Sequence, residues 1–468
     1  MKKIIFGALI FSGIFLNSCA DSDLEPTLST NKPSTEIKTL SDLKGLLGGA
    51  YDRMTSETYY GRNVIVFGDV RSDNTYANAN SGRFVTSGSM YMINSNADAD
   101  SAFLQMYGVI ATCNIIINSN IAVDSQIAKH AAQINYVKGQ AMALRALVHY
   151  DLVRIFGQQH VGIGGGDMNS LGVAYVKEYL NPTQMKPKRN TVGEVKTFIY
   201  ADLDKALEIM DKTLDTGGKK SIRTVAVNAI KARVALYFGD WLIAKTASNE
   251  VLISGAARVL TASEYAESFK INQPANSIFE LIFLADDNRG NDSLYNIYNN
   301  TAYGDIVVLQ DLKNQFSATD VRGTMIGLDA KARIRNLGKF VKADIDLVLF
   351  RFEEMLLINA EASFRLDATD VSALTNLNKV ATNRGDVGYT TVSVANILLE
   401  RRKELCFEGF RFDDIARTKM DMPVVDAVKQ TYDDLGLDGI KYGSSRYAFP
   451  IPLREKNANP NTDQNKDY

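Results

Sequence analysis

Glu400-Arg401-Arg402-Lys403-Glu404-Leu405-Cys406-Phe407-Glu408-Gly409-Phe410-Arg411-Phe412-Asp413-Asp414-Ile415-Ala416-Arg417 mixes both signs of charge with apolar anchors. Its periodicity reads as one helix running from Asn396 to about Thr418. Glu400, Arg401, Glu404, Glu408 and Arg411 fall at helical neighbour spacings suited to salt bridges and backbone capping. Leu405 and Phe407 then anchor the helix to a core. So much charge invites an active-site reading, but interleaved acids and arginines with apolar anchors describe a scaffold helix better. Glu361, inside Ala360-Glu361-Ala362, is read the same way, as a partly buried carboxylate paired with an arginine.

Outward from this stretch the chain is mostly helical. Leu43, Leu46, Leu47, Ala50 and Met54 form one apolar stripe, and Ile134, Val137, Ala141, Leu144, Val148 and Ile155 form a longer one. Thr191-Val192-Gly193-Glu194 is a capping box that opens a stripe at Val195, Ile199, Leu203, Ala206, Met210 and Leu214. Val227, Ile230, Val234, Phe238 and Trp241 share the next face, after Gly217-Gly218. Helices are also expected over Val348–Leu366 and Val371–Thr382. Helix pairs of this kind stack like tetratricopeptide units, each covering its neighbour's apolar face. The period is irregular, so the fold class is mostly α with tetratricopeptide-like helix pairs, long insertions and minor short strands.

Three insertions interrupt the helices. Gly61 to Asp98 is rich in Asn, Ser, Asp, Gly and Tyr; Gln158 to Arg189 carries a glycine run; Asn272 to Gly338 holds a β-like run at Ile278–Leu284 and then a Tyr-rich stretch. Loops this long tend to be functional. The helices make the frame and the loops make the site.

The N-terminus reads as a lipoprotein leader. Lys2-Lys3 is basic, Ile4 to Leu16 is apolar but short, and Leu16-Asn17-Ser18-Cys19 is a lipobox. Residues 1–18 are then a signal peptide and Cys19 the acylated first residue, with chains enough for stable anchoring. Residues 19–38 begin with the acidic Asp21-Ser22-Asp23-Leu24-Glu25 and read as a solvated tether, leaving 39–468 as a single domain. Cys113 and Cys406 read as two separate buried thiols rather than a disulfide.

Composition excludes several classes. Charged residues make up 23% and the formal net charge is −2, which gives no electrostatic case for nucleic acid. The three histidines, His130, His149 and His160, lack metal-ligand spacing, and His149 is a mid-helix structural residue. Gly162-Ile163-Gly164-Gly165-Gly166-Asp167 completes neither a dinucleotide fingerprint nor a P-loop. No Gly-x-Ser-x-Gly elbow occurs. Asp433, Asp434 and Asp438 read as a solvated acidic loop rather than a calcium site. The expectation is a non-enzyme with no cofactor and no metal.

The Glu400–Arg417 stretch resembles the C-terminal signature of SusD/RagB-like proteins. Leu144-Arg145-Ala146-Leu147-Val148-His149-Tyr150-Asp151-Leu152-Val153-Arg154-Ile155-Phe156-Gly157 is similar to a second family segment, and Leu171-Gly172-Val173-Ala174-Tyr175 follows it with Ala174 where Pro is common. Arg351 to Ala362 resembles the Glu-rich penultimate region. Phe449-Pro450-Ile451-Pro452, Glu455, Asn459-Pro460 and Gln464-Asn465 resemble the family ending. The resemblance implies a SusD-like fold and an outer-membrane lipoprotein of Bacteroidetes, facing the exterior, whose acidic tether suits surface export. It implies capture of an oligosaccharide and delivery to a SusC-like TonB-dependent porter, over which the protein acts as a lid. Peptide capture in the RagB manner is the alternative ligand, and a structural surface lipoprotein without ligand is the rival from another class.

Sugar recognition needs flat apolar faces beside planar polar groups. The one tryptophan, Trp241, sits on an apolar stripe and reads as core, so stacking falls to tyrosine or phenylalanine. Two loop clusters supply candidates: Asp69, Arg71, Asp73, Asn74, Tyr76, Arg83 and Tyr91 in loop 61–98, and Asp287, Asn288, Arg289, Asn291, Tyr295, Tyr298 and Tyr303 in loop 272–338.

Overall fold

Capped, striped segments fold into helices that each pack on the next. In the computed structural model, residues 37–468 are described apart from 163–164, 180, 183–184, 217, 285–288, 300–302 and 432–438. The leader 1–18, Cys19, nearly all of the tether and Asp433, Asp434 and Asp438 lie outside the described residues. The frame comprises α1 (Leu40–Thr55), α4 (Ala97–Asn118), α5 (His130–Phe156), α6 (Val192–Ile209), α7 (Thr224–Phe238), α8 (Trp241–Ile253), α12 (Phe352–Leu366), α13 (Val371–Thr382) and α14 (Val394–Glu404). Contacts run α1 to α4, α4 to α5, α5 to α6, α6 to α7, α7 to α8, α8 to α12 and α12 to α13. This is the tetratricopeptide-like order expected of stacked pairs. Helix α4 is long and apolar enough to cross a membrane, yet Phe103, Met106, Ile110 and Cys113 are buried where it packs between α1 and α5.

The insertions and the C-terminal region carry shorter elements: α2 (Asn63–Val70), α3 (Val85–Gly88), α9 (Ala262–Ser268), α10 (Leu294–Tyr298), α11 (Gln310–Lys313), α15 (Arg411–Arg417) and α16 (Leu453–Ala458). Among the described residues six short strands form antiparallel pairs: β1 (Thr75–Ala77) with β3 (Ile306–Val308), β2 (Ser277–Leu281) with β6 (Leu347–Arg351), and β4 (Ile326–Leu328) with β5 (Ile334–Asn336). The first pair joins two insertions, aligning Thr75 with Val308 and Ala77 with Ile306.

Four expectations change. The Asn396–Thr418 helix is two, α14 and α15, separated by a turn in which Phe407 and Gly409 take φ of 68° and 81°. Glycine is required on both sides of this crossing: a Cβ on Gly68 of α2 would lie 2.0 Å from the Gly409 carbonyl oxygen, and a Cβ on Gly409, at its positive φ, would lie 3.0 Å from the Ile65 Cα. Val348–Leu366 begins as strand β6 before turning into α12. Trp241 opens α8 after Gly239 ends α7 at φ 75°; it is half-buried, with the Arg365 guanidinium 5.1 Å from its ring. Loop 61–98 contains the fully buried α2, whose Val64–Phe67 run shows no helical period because every side is covered.

The signature charges pair mostly over long range, beside two pairs within a helix, Glu400 with Lys403 and Asp414 with Arg417. Glu404 accepts from Arg322 (3.0 Å), Arg351 (2.6 Å) and Arg384 (2.9 Å), and all four are buried. Burial alone would raise the Glu404 carboxyl; the guanidinium groups of Arg384, Arg351 and Arg322 hold it well below the usual carboxylate range. Glu400 accepts from Arg322 at 2.6 Å, Glu408 from Lys339 at 2.6 Å, and Arg401 donates to Asp414 at 2.9 Å. Glu361 is fully buried and takes both arms of Arg417 at 2.8 and 2.7 Å. The network ties Arg322 of the 272–338 insertion, Arg351 at the end of β6 and Arg384 after α13 to Glu404 of α14.

A second lock explains the Leu144–Gly157 segment. Arg145 grips Asp202 with two hydrogen bonds of 2.7 Å, and the Tyr175 hydroxyl donates to the same carboxylate at 2.6 Å. The Tyr175 ring stacks on His149 with centroids 3.7 Å apart. His149 Nδ1 meets the Arg145 carbonyl at 2.8 Å and Nε2 meets the Val176 N–H at 3.2 Å. A carbonyl only accepts and an amide N–H only donates, so the ring is neutral with its proton on Nδ1. Burial pushes its pKa down to about 3. The Gln158–Arg189 connector is held by the chain's last segment: Arg189 donates to the Asn465 side chain at 2.7 Å, and Asn459 donates to the Pro187 carbonyl at 2.8 Å. Cys113 and Cys406 are free and buried, as the sequence suggested.

Candidate functional site

The β1–β3 ladder brings the two candidate loops together, and burial then divides their residues into two sets. Asp69, Arg71, Asp73, Asn74 and Tyr298 are interior, all at most 2% exposed. Asp69 accepts from the Tyr298 hydroxyl and from the Gly409 N–H at 3.2 Å, and burial pushes its carboxyl up to about 7. Arg71 lies between the rings of Phe412 and Phe449, 3.6 and 4.4 Å from their centroids, and donates to the Tyr447 carbonyl at 3.0 Å. Asp73 is gripped by Arg411 at 2.7 and 2.8 Å, and Asn74 accepts from Arg402 at 2.7 Å. As placed, these five residues hold the signature turn and present no surface to a ligand. The sequence grouped them with the site because polar loop composition does not report burial.

The remaining described candidates reach the surface. Arg83 is the centre of one patch. It pairs with Asp292 and, at 3.0 Å, with Asp305, and its guanidinium carbon stands 5.2 Å from the Tyr303 ring centroid. Tyr303 is 48% exposed, enough to offer a ring face. Asn291 is exposed beside it, with its carbonyl 3.4 Å from Arg83. Tyr76, on β1, is half-buried with Lys429 5.8 Å from its ring. Arg289 turns toward α1 and donates to Thr55 at 3.0 Å. Asp287 and Asn288 lie outside the described residues. Tyr91 is exposed but sits elsewhere, beside Arg446.

Tyr295 is half-buried and lines a cleft of about 770 Å³, counted to its open mouth, together with Phe269, Phe283, Phe340 and Lys342. Sequence reasoning missed the groups that set the Arg83 patch. Arg62 bridges Asp98 (3.3 Å) and Asp292, and buried Asp305 accepts from Ser81 at 2.7 Å. Asn78 donates to the Gly304 carbonyl at 2.6 Å and Asn80 to that of Tyr303 at 3.4 Å, fixing the turn under the ring. Their signal was the Asn/Ser density of residues 78–81; Asp305 gave none. Among the described residues no His/Cys/Asp/Glu group is arranged to hold a metal ion. A pinned guanidinium beside an exposed ring, with amides around it, suits a hydroxylated ligand held by stacking and planar hydrogen bonds.

Comparison with known proteins agrees with the fold. Residues 338–468 match the model of the SusD family, and residues 15–236 match a family described as starch-binding associating with outer membrane. SusD-like protein P2 of Formosa agariphila is 22% identical over 98% of both chains. A SusD superfamily protein from Bacteroides vulgatus has a crystal structure that superposes with a TM-score of 0.81 at 25% identity, covering 92% of this chain and 99% of that one. A laminarin binding SusD-like protein shares the fold at 20% identity and a TM-score of 0.72, over 92% and 100% of the two chains. These similarities define an outer-membrane-associated, carbohydrate-binding class. The chain belongs to the SusD/RagB-like family.

Proposed function

We propose that the protein is a non-catalytic, lipid-anchored receptor that captures an oligosaccharide at the outer surface and passes it to a SusC-like TonB-dependent porter, which it covers as a lid. Cys19 is the acylated residue and residues 19–38 the tether. The observation that carries the ligand reading is the exposed Tyr303 ring beside Arg83, which two carboxylates hold in place. Asn291 adds an amide beside it, and Tyr76 and Tyr295 are further candidates for stacking. A pinned guanidinium costs little ordering when ligand arrives, which raises affinity. The family description as starch-binding and the laminarin-binding neighbour support a glucan as the first ligand to try.

Affinity electrophoresis of the full-length protein in detergent through gels cast with starch or laminarin tests the ligand class. Retardation by one polysaccharide, absent with a peptide digest, is the expected result. Retention only by peptides moves the protein to peptide capture. Co-purification of a barrel from tagged protein in its native membrane tests the porter; failure to recover one contradicts the lid role.

A further inference from the structure

Tyr91 belongs to a groove that shares no lining residue with the Arg83–Tyr303 patch or the Tyr295 cleft. Three segments distant in sequence build it: Tyr91, Ile93 and Asn94 after α3, Arg446 shortly before α16, and Asp467 with Tyr468 near the end. Tyr91 and Ile93 are 46% and 47% exposed, so the groove floor is an apolar shelf open to water. The Arg446 guanidinium carbon lies 5.1 Å from the Tyr91 ring centroid.

The shelf is fixed in advance. The Asn94 carbonyl accepts from the Leu453 N–H at 2.8 Å, and the Tyr468 hydroxyl donates to the Ala448 carbonyl at 3.1 Å. Met90 is buried in the small core around α15, and its φ of 52° turns the following tyrosine outward. Asp467 also has a left-handed backbone, with φ of 65°. Non-glycine residues held in this region cost free energy and persist where surrounding structure over-determines them, often at ligand clamps.

We propose that this groove is a second carbohydrate subsite, taking neutral pyranosyl units of the same polymer. Two tyrosine rings and Ile93 offer faces for sugar C–H groups. Arg446 donates, Asp467 accepts and Asn94 does both, a combination that suits hydroxyl groups better than a ligand of one charge. Two sites on one receptor bind a repeating polymer with avidity, since the second contact becomes intramolecular. The inference rests on the carbohydrate-binding reading for its ligand class, but not on the Arg83–Tyr303 patch.

The test is ¹⁹F NMR of the full-length protein carrying 3-fluorotyrosine, with the Tyr91 and Tyr303 signals assigned from Tyr91→Phe and Tyr303→Phe. Malto- and laminari-oligosaccharides are the titrants. Saturable movement of the Tyr91 signal, persisting in Tyr303→Ala, is expected. Tyr91→Ala should also weaken binding to the long polymer by roughly threefold to tenfold, the scale of one lost aromatic contact. Movement of Tyr303 with Tyr91 silent overturns the second subsite and leaves the first. Movement of Tyr91 alone does the reverse. Silence at both overturns both, and a Tyr91 response confined to addition of the barrel overturns the sugar reading of this groove in favour of a protein contact.

Discussion

Residues 69–74 and 76–91 belong to one polar loop with similar composition, yet they work in opposite ways. In the first half Asp69, Arg71, Asp73 and Asn74 are buried and bind the Gly409 turn, Phe412, Arg411 and Arg402. In the second, Arg83 and Tyr91 lie beside exposed rings or carry one. The strand pair β1–β3 marks the border. An arginine or aspartate is structural when its partners come from a distant element that covers it, and is available to ligand when its partners leave a face in water.

The largest expected effect breaks the inner half. Asp73→Ala leaves the buried Arg411 fork and Arg402 without their shared acid, and should cost about 3–5 kcal/mol in denaturant unfolding. A loss under about 1 kcal/mol, the range of a surface pair, would place Asp73 with the outer half.

Acid should weaken the interior selectively. His149 has a folded pKa of about 3 against an ordinary 6.5. Below pH 6.5 the unfolded chain takes up a proton that the folded ring refuses. The stabilisation is therefore complete above pH 6.5 and is lost progressively as pH falls toward 3. Between pH 6.5 and 5 the wild type should lose about 2 kcal/mol that His149→Gln does not. Equal pH slopes for the two proteins would show that the ring is not buried neutral.

Tyr298→Phe removes the hydroxyl that donates to Asp69 and should cost about 1–2 kcal/mol of stability. Ligand affinity measured on the folded variant should stay at the wild-type value, because Tyr298 is buried. Tyr295→Ala provides the contrast from the same short helix, with smaller loss of stability and weaker ligand binding. The smallest structural effect belongs to Tyr303→Ala: stability within about 0.5 kcal/mol of wild type, as for an exposed position.

The frame was legible because its signals are local. The Thr191–Glu194 capping box and the α5 stripe emerge where expected, and the five quoted segments lie in one packed chain. The break at Phe407–Gly409 was not legible, because it depends on α2 passing within contact of Gly409, a partner far away in sequence. The Glu404 network was missed for the same reason: its arginines come from residues 322, 351 and 384. Among the candidates, Arg83 and Tyr303 were named singly, but their contact and the role of Asp305 depend on β1 pairing with β3. Tyr91 was grouped by sequence proximity with residues it does not join.

The most direct measurement is calorimetric titration of the wild type and Tyr303→Ala, both full-length in detergent, with malto- and laminari-oligosaccharides. The account predicts saturable heat from one series with the wild type. Affinity should fall about tenfold in Tyr303→Ala, the scale of one stacked ring, with an unchanged melting temperature. Equal affinity in both proteins, or no heat from any oligosaccharide, would contradict it.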